Sequence, residues 1–355
     1  MFRPKMLLTS LAIALGACAP QDPQAVTSAA LAEQVILPSY SRWAEADQAL
    51  AKSALAYCSG KEDLGQARQA FLAAQRAWAE LQPLLIGPMA EGNRAWQVQF
   101  WPDKKNLVAR QVEQLLKAGT PIDESSLANA SVVVQGLSAY EYILFDSNVE
   151  MADSDTRARY CPLLEAIAEH QRSLADEILA NWKAKEGMLE QMSHFPNARY
   201  AESREAISDL YRAQVTALDT LKKKLGAPLG RQSKGIVQPY QAEAWRSHAS
   251  LASIAASLQS ARQLWQGADQ NKGLKALLPD DDQQALRQQV DDAYAQAQSQ
   301  LDALQPPLDA LLKTEDGRAQ LSRFYDALNV LHRLHQTELA RALNVQIGFN
   351  ANDGD

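Results

Sequence analysis

The most distinctive segment of the chain reads Val132-Val-Val-Gln-Gly136-Leu-Ser138-Ala-Tyr-Glu141-Tyr-Ile-Leu-Phe145. It is mostly apolar, yet it carries one carboxylate. If the segment is a helix, Ser138 and Glu141 lie three residues apart on one face. Gly136 would allow a second backbone to approach closely. Because burying a lone carboxylate is costly, Glu141 is predicted either to form a salt bridge inside a helical bundle or to bind a ligand.

Apolar residues recur at steps of three and four along most of the chain, which is the period of the α-helix. Pro306-Pro307 is expected to kink or split the eighth of the predicted helices. The sequence therefore predicts an all-α fold. The predicted helices cover residues 31–57, 65–82, 104–118, 126–146, 155–186, 199–225, 243–267, 280–313 and 315–344.

Two segments, residues 83–103 and 226–242, mix glycine, proline and aromatic residues and do not fit a helix. Long irregular segments in a helical protein are often functional, and the second one divides the chain. We therefore predict two antiparallel helical bundles packed together, formed by residues 31–225 and 226–355. A ligand pocket is expected at their junction.

The N-terminus carries the features of an export signal. A basic start precedes an apolar run that is too short to span a bilayer, and small residues precede Cys18. Residues 1–17 are predicted to be a lipoprotein signal peptide with Cys18 as the lipidated residue; an ordinary cleaved signal is the alternative. Residues 18–30 are small, polar and proline-containing, which predicts a flexible tether.

The predicted lipid anchor places the protein on the periplasmic side of the cell envelope, attached to a membrane. Ala19, in place of aspartate, favours the outer membrane in a Gram-negative host.

Removing Arg3 and Lys5 leaves 33 basic and 42 acidic side chains, a net charge of about −9. Such an acidic chain is not expected to bind nucleic acid.

Two cysteines remain after the signal, Cys58 and Cys161. Exported cysteine pairs commonly form disulfides. One ends a predicted helix and the other begins a predicted helix, so a disulfide between helix ends is predicted.

The 132–145 segment resembles the signature helix of the imelysin family, Gly-x-His-x-x-Glu. Gly136 and Glu141 match, and Ser138 stands where the family has histidine. Residues 241–254, which contain Glu243, Trp245-Arg246-Ser247 and Ser250-Leu, resemble a second family stretch. Further elements in the family's order are Arg76-Ala-Trp78, Trp101-Pro102 and the closing residues 343–355.

The resemblance implies a two-bundle helical fold whose pocket is lined by the signature helix and the Trp-Arg-Ser stretch. It also implies a link to iron uptake and to a metallopeptidase assignment, with iron or zinc as the metal and Glu141 as a candidate ligand. A polar centre of Glu141 and Arg246 is expected in this pocket. The candidate pocket residues are Gly136, Ser138, Glu141, Arg246, Ser247, Arg76 and Trp101.

Ser138 weakens the metallopeptidase hypothesis, because a serine hydroxyl is a poor ligand for zinc or iron whereas a neutral imidazole is a good one. His332, His335 and Glu338 follow one another at three-residue steps on one helical face, and this histidine ladder has a spacing that could hold a metal. The simpler interpretation is that these histidines are solvated. His248 follows the Trp-Arg-Ser stretch and could face the pocket.

Three functions stay open at this stage. The leading one is an envelope-anchored, non-catalytic binding protein in iron acquisition, with other envelope iron-uptake proteins as partners. The second is a metal-dependent peptidase of the imelysin type. The third is a structural or partner-docking lipoprotein.

Overall fold

A computed structural model describes residues 22–268, 272–278, 281–305 and 307–347. Helices form nearly all the regular structure of these residues, and no β-strand occurs among them. The predicted all-α class is therefore confirmed. The α-helices are α1 (Pro23–Leu31), α2 (Leu37–Cys58), α3 (Leu64–Leu81), α4 (Arg94–Val98), α5 (Leu107–Ala118), α6 (Glu124–Ala128), α7 (Val132–Gln135), α8 (Leu137–Phe145), α9 (Ser154–Lys183), α10 (Met188–Ser193), α11 (Ser203–Gly226), α12 (Ser250–Gln266), α13 (Gln284–Asp302), α14 (Leu308–Lys313), α15 (Glu315–Leu334) and α16 (Ala340–Ala342).

Short helical turns complete the architecture. Two π-helical turns, Ala32–Ile36 and His335–Leu339, join α1 to α2 and α15 to α16. The 3-10 turns are Gln82–Leu84, Gly87–Ala90, Pro239–Gln241, Leu274–Leu277 and Asp281–Gln283.

Three predicted helices have different bounds in the structure. The predicted helix 126–146 is wrong as one element, because it consists of α6, α7 and α8. The predicted helix 243–267 begins only at Ser250. The helix 280–313 is split as the two prolines indicate, since α13 ends at Asp302 and α14 begins at Leu308.

The flexible tether predicted for residues 18–30 is wrong from residue 23 onward, where α1 begins. The Asp22 side chain accepts a hydrogen bond from the backbone N–H of Gln24 at 2.9 Å, and Pro23 occupies the first helical position. The Ser28 hydroxyl donates to the Met192 carbonyl at 2.6 Å, and the Ser203 hydroxyl donates to Asp22 at 2.5 Å. These contacts fix α1 against α10 and α11.

The predicted signal peptide and lipidated Cys18 lie outside the described residues. Within the described ranges, no helix combines the length and apolarity that crossing a membrane requires.

The long helices pack in a continuous network around one extended hydrophobic core. Helix α2 lies along α9 and α3, α3 also contacts α12, and α13 packs on α15. Helix α11 packs against α12 and α15 and also against α1 and the 3-10 turn Gln82–Leu84, so it contacts elements of both predicted bundles. The division into two bundles stays a prediction.

The predicted disulfide between Cys58 and Cys161 is present, with the two Cα atoms 5.7 Å apart. Cys58 is the last residue of α2, and Cys161 lies near the beginning of α9. The bond therefore joins two helices that already pack along their length, and it closes a loop across a sequence separation of 103 residues.

Asp47 of α2 is wholly buried, and neither carboxylate oxygen has a hydrogen-bond partner. Burial raises the pKa of Asp47 well above its usual range, and the nearby carboxylate of Asp176 raises the pKa further. Folding therefore takes up a proton at this residue, so the stability of the fold declines as the pH rises above about 4, the usual pKa of an aspartate in an unfolded chain.

Asp47→Asn is expected to stabilise the protein by about 1–3 kcal/mol at neutral pH, because asparagine cannot ionise in this apolar site. The gain in the free energy of unfolding should be smaller at pH 5 than at pH 8. Thermal unfolding at both pH values measures it, and Asp292→Asn on the exposed face of α13 is the matched control. An equal melting temperature for Asp47→Asn and wild type at pH 8 would contradict this account.

Candidate functional site

Gly136 breaks the signature segment into α7 and α8. A Cβ atom at this position would lie 2.3 Å from the Val98 carbonyl oxygen and 2.5 Å from the Gln97 carbonyl oxygen. Both neighbours are backbone atoms, so they cannot turn aside as a side chain would. The close backbone approach predicted for Gly136 is present, and it separates the two helices.

Ser138 lies just after this break, in the first turn of α8. Its hydroxyl donates a hydrogen bond to the Phe100 carbonyl at 2.9 Å. Together with Gly136, it holds residues 97–100, which are the end of α4 and the chain just after it, against α8. The serine in the Gly-x-Ser-x-x-Glu segment thus fixes the course of a neighbouring part of the chain.

Glu141 is buried on α8, with 4% of its surface exposed. Its Oε1 atom accepts two hydrogen bonds from Ser247, one from the backbone N–H at 2.8 Å and one from the hydroxyl at 2.7 Å. Burial raises the pKa of Glu141, against the opposing effects of the Ser247 hydrogen bonds and the Arg246 charge; nearby Glu243 raises it further. The signature carboxylate thus joins α8 to the segment before α12.

That segment, residues 243–249, is a series of tight turns. Ala244 and His248 both have positive φ angles, 48° and 58°, which a helix does not permit. The Ser250 hydroxyl donates to the Glu243 carbonyl at 2.5 Å. This geometry explains why α12 begins at Ser250.

Within the polar centre expected of Glu141 and Arg246, the arginine forms its ion pair with Asp146 and makes no hydrogen bond to Glu141. Its Nε atom is 2.8 Å from Asp146 Oδ2, and its side chain is only 5% exposed. The guanidinium carbon lies 4.4 Å from the Trp245 ring centre and 5.3 Å from that of Tyr142. Arg246 therefore acts on Glu141 through its electrostatic field and not through a hydrogen bond.

The structure brings five of the seven predicted pocket residues together. Among these five only Glu141 and Ser247 form hydrogen bonds with each other, and none of the five lines the cleft described below. Arg76 is apart from them, with its side chain 64% exposed and paired with Glu80 at 3.3 Å. Trp101 alone lines the cleft. The five residues are Gly136, Ser138, Glu141, Arg246 and Ser247.

A cleft of about 450 Å³ opens between residues 82–101 and α11. This volume is in the range of small-molecule sites. Its apolar wall comes from Trp78, Leu85, Ile86, Trp96 and Trp101. Helix α11 contributes Ala213, Thr216, Ala217, Thr220 and Lys224.

Lys224 brings a buried ammonium to this cleft. Its Nζ atom is 2.5 Å from Glu243 Oε1 and donates to Gln82 Oε1 at 2.7 Å. The two charged side chains are 4% and 2% exposed. Burial lowers the pKa of Lys224, while the Glu243 carboxylate opposes that shift. The ammonium also lies 5.5 Å from the Trp101 ring centre.

A chain of amide side chains fixes the tryptophan wall. Trp78 Nε1 donates to Gln99 Oε1 at 3.0 Å, and Gln99 Nε2 donates to Gln75 Oε1 at 2.9 Å. The Trp101 indole N–H donates to the Gln241 carbonyl at 2.9 Å. Because hydrogen bonds hold the Trp78 and Trp101 indoles in place, this part of the cleft wall is preorganised.

The sequence model of the imelysin family matches residues 36–335. The chain belongs to the imelysin family. Its fold is similar to an imelysin-like protein from Psychrobacter arcticum 273-4, with a TM-score of 0.77 and 21% identity over 94% of this chain and 100% of that one. It is also similar to a protein from Parabacteroides distasonis ATCC 8503 described as an iron-regulated protein A precursor, with a TM-score of 0.70 and 16% identity over 90% and 97% of the two chains. No curated protein matches the chain.

The signature residues of this imelysin do not fit a catalytic metal. Glu141 Oε1 is occupied by two donors, and the Ser138 hydroxyl donates to a carbonyl. Within the described part of the chain, no three histidine, cysteine, aspartate or glutamate side chains form a group that could hold a metal ion.

The histidine ladder does not supply a metal site either. His335 is wholly buried beside the rings of Tyr211 and Tyr294, and burial lowers the pKa of His335 to about 4. Glu338 is exposed and hydrogen-bonded to Thr337, so it does not join the histidine. The π-helical turn at His335–Leu339 changes the spacing on which the prediction depended.

His248 is likewise on the surface rather than in the predicted pocket. Its side chain is 60% exposed, and Nδ1 lies 2.9 Å from Asp309 Oδ1. The positive φ angle of this residue turns it away from the helical register that the sequence suggests.

Lys224 is a residue of the cleft that the sequence pattern did not single out. It ends a run of three lysines that resembles a solvated helix end. However, Ala217, Leu221 and Lys224 follow the four- and three-residue steps of one helical face. That spacing is the signal that could have identified a lysine on the buried side of α11.

Proposed function

We propose that this imelysin is a non-catalytic binding protein whose cleft holds a small-molecule ligand for iron acquisition. The observation that carries the proposal is the cleft beside α11, with its fixed tryptophan wall and the buried ammonium of Lys224. Its volume and composition are those of a small-molecule site: mainly apolar, with a few convergent polar groups.

The contacts of the signature residues support a binding role over catalysis. Ser138 holds the Phe100 carbonyl, and Glu141 holds the turn at Ser247. Phe100 precedes Trp101, and this turn follows Glu243, the partner of Lys224. The motif therefore positions the parts of the chain that frame the cleft.

The iron link is supported by the similarity to the iron-regulated protein A precursor from Parabacteroides distasonis. The proposed location, on the periplasmic side of the envelope and in the outer membrane of a Gram-negative host, is supported by the sequence of residues 1–18. A lipid on Cys18 would anchor the protein. Other iron-uptake proteins of the envelope are the proposed partners.

Filling the cleft tests this proposal. Ala213 lines the cleft on α11, so Ala213→Trp is expected to abolish the small-molecule adduct that native mass spectrometry detects on wild-type protein from iron-limited cells. Ala295→Trp on the exposed face of α13 should retain the adduct. If wild type carries no adduct, or if Ala213→Trp carries the same adduct as wild type, the cleft assignment is wrong.

The absence of catalysis has its own test. Glu141→Gln keeps an oxygen that can accept both Ser247 hydrogen bonds, so we expect it to retain the adduct and to fold normally. Elemental analysis and a peptide-cleavage assay are run on both proteins. Stoichiometric iron or zinc with cleavage in wild type, both lost in Glu141→Gln, would show that the protein is a metallopeptidase.

A further inference from the structure

The charges that line the cleft are mainly positive, in a chain whose net charge is −7. Lys224, Arg199 and Arg212 contribute cations, and Asp209 is the acidic residue among the described lining residues. Lys224 and Arg199 pair with Glu243 and Glu91, neither of which lines the cleft. Arg212 pairs with Asp209 inside the cleft, whereas the acidic partners of Lys224 and Arg199 lie outside its lining, so positive side chains outnumber negative ones along the described lining.

The two arginines are at the accessible side of the cleft and keep part of their surface free. The Arg199 side chain is 32% exposed and lies 3.1 Å from Glu91; the Arg212 side chain is 49% exposed and lies 3.5 Å from Asp209. Exposed ion pairs of this kind are weak. A ligand carboxylate can therefore compete for either guanidinium at little cost, and arginine suits bidentate binding of a carboxylate.

The aromatic wall has one ring that is open to a ligand. Trp96 is 42% exposed, and its ring lies 5.7 Å from that of Phe100, which supports it from one side. An indole face left open at the rim of a cleft is a stacking surface for a flat ring. A cationic ligand is disfavoured here because Lys224 already places its ammonium 5.5 Å from the Trp101 ring.

We infer that the cleft binds a planar aromatic anion of the hydroxybenzoate class, with its ring on the tryptophan wall and its carboxylate at Arg199 and Arg212. The inference rests on the proposed function, for which it names the ligand class. Hydroxybenzoate oxygens are hard donors of the kind that bind ferric iron, so this class also agrees with a role in iron acquisition.

Isothermal titration calorimetry of the purified protein tests the inference with three probes. We expect 2,3-dihydroxybenzoate to bind, catechol to bind at least about tenfold more weakly because it lacks the carboxylate, and succinate to give no binding heat. Catechol binding as tightly as 2,3-dihydroxybenzoate would overturn the anion requirement. Succinate binding as tightly would overturn the aromatic requirement.

Two variants locate the probe. Arg212→Gln and Trp96→Ala should each weaken 2,3-dihydroxybenzoate binding about tenfold. Arg76→Gln and Tyr240→Ala are matched controls, because both residues are exposed and do not line the cleft; they should bind like wild type. Equal affinity in the variants and the controls would overturn the inference.

The outcomes separate this inference from the proposed function. If 2,3-dihydroxybenzoate gives no heat while Ala213→Trp still removes the natural adduct, the cleft is a ligand site and the ligand class named here is wrong. If Ala213→Trp leaves the natural adduct in place, the proposed function itself fails. Thermal unfolding of every variant confirms that each one is folded.

Discussion

Lys224→Met is expected to lower the free energy of unfolding by about 3–5 kcal/mol. The lysine is the cationic partner of Glu243, and both side chains are almost completely buried. Glu243 Oε2 has no hydrogen-bond partner even with the lysine present. Removing the ammonium leaves a buried carboxylate without a compensating charge, which is why the expected effect is large. Urea unfolding measures it.

The double variant Lys224→Met/Glu243→Gln should recover most of that loss, because it removes the unpaired charge and keeps an oxygen that can accept from Gln82. Lys313→Met is the matched control. That lysine is 72% exposed and pairs with Asp309 on the surface, so its loss should change stability by no more than about 0.5 kcal/mol. Equal stability of Lys224→Met and Lys313→Met would contradict the buried-pair explanation.

Replacing both Cys58 and Cys161 with serine is expected to lower the free energy of unfolding by about 4 kcal/mol. The disulfide closes a loop across a sequence separation of 103 residues, and long loops gain most from a crosslink in the unfolded chain. Urea unfolding of wild type with dithiothreitol should show a similar loss. The reductant should not change the double variant, and a wild-type midpoint that is insensitive to dithiothreitol would contradict the prediction.

The sequence predicted the helices best where their periodicity is long and uninterrupted. Helices α3 and α9 lie close to the predicted 65–82 and 155–186. The prediction failed at Gly136 because the break there depends on the backbone at Val98, which is distant in sequence. It failed at residues 23–31 because small, polar residues can still form a helix when a neighbouring surface buries them.

The candidate site could be predicted only in part, for a similar reason. The motif identified Glu141 and Ser247, and the structure joins them by two hydrogen bonds. Its contacts with Phe100 and the turn after Glu243 depend on tertiary packing that residue spacing does not reveal. Arg76 was assigned to the pocket by its motif alone, while the face it occupies on α3 is exposed.

If Cys18 carries the lipid that we propose, the docking of α1 would limit the distance between the folded body and the membrane. Asp22 is held by the Ser203 hydroxyl, and only four residue steps separate it from Cys18 in the sequence. A fully extended chain of that length reaches about 14 Å. With the lipid that we propose on Cys18, the end of the body that carries α1 would lie almost on the headgroups. Ligand exchange would then take place with partners at the bilayer surface, because a connection of this length would keep the protein from reaching across the periplasm.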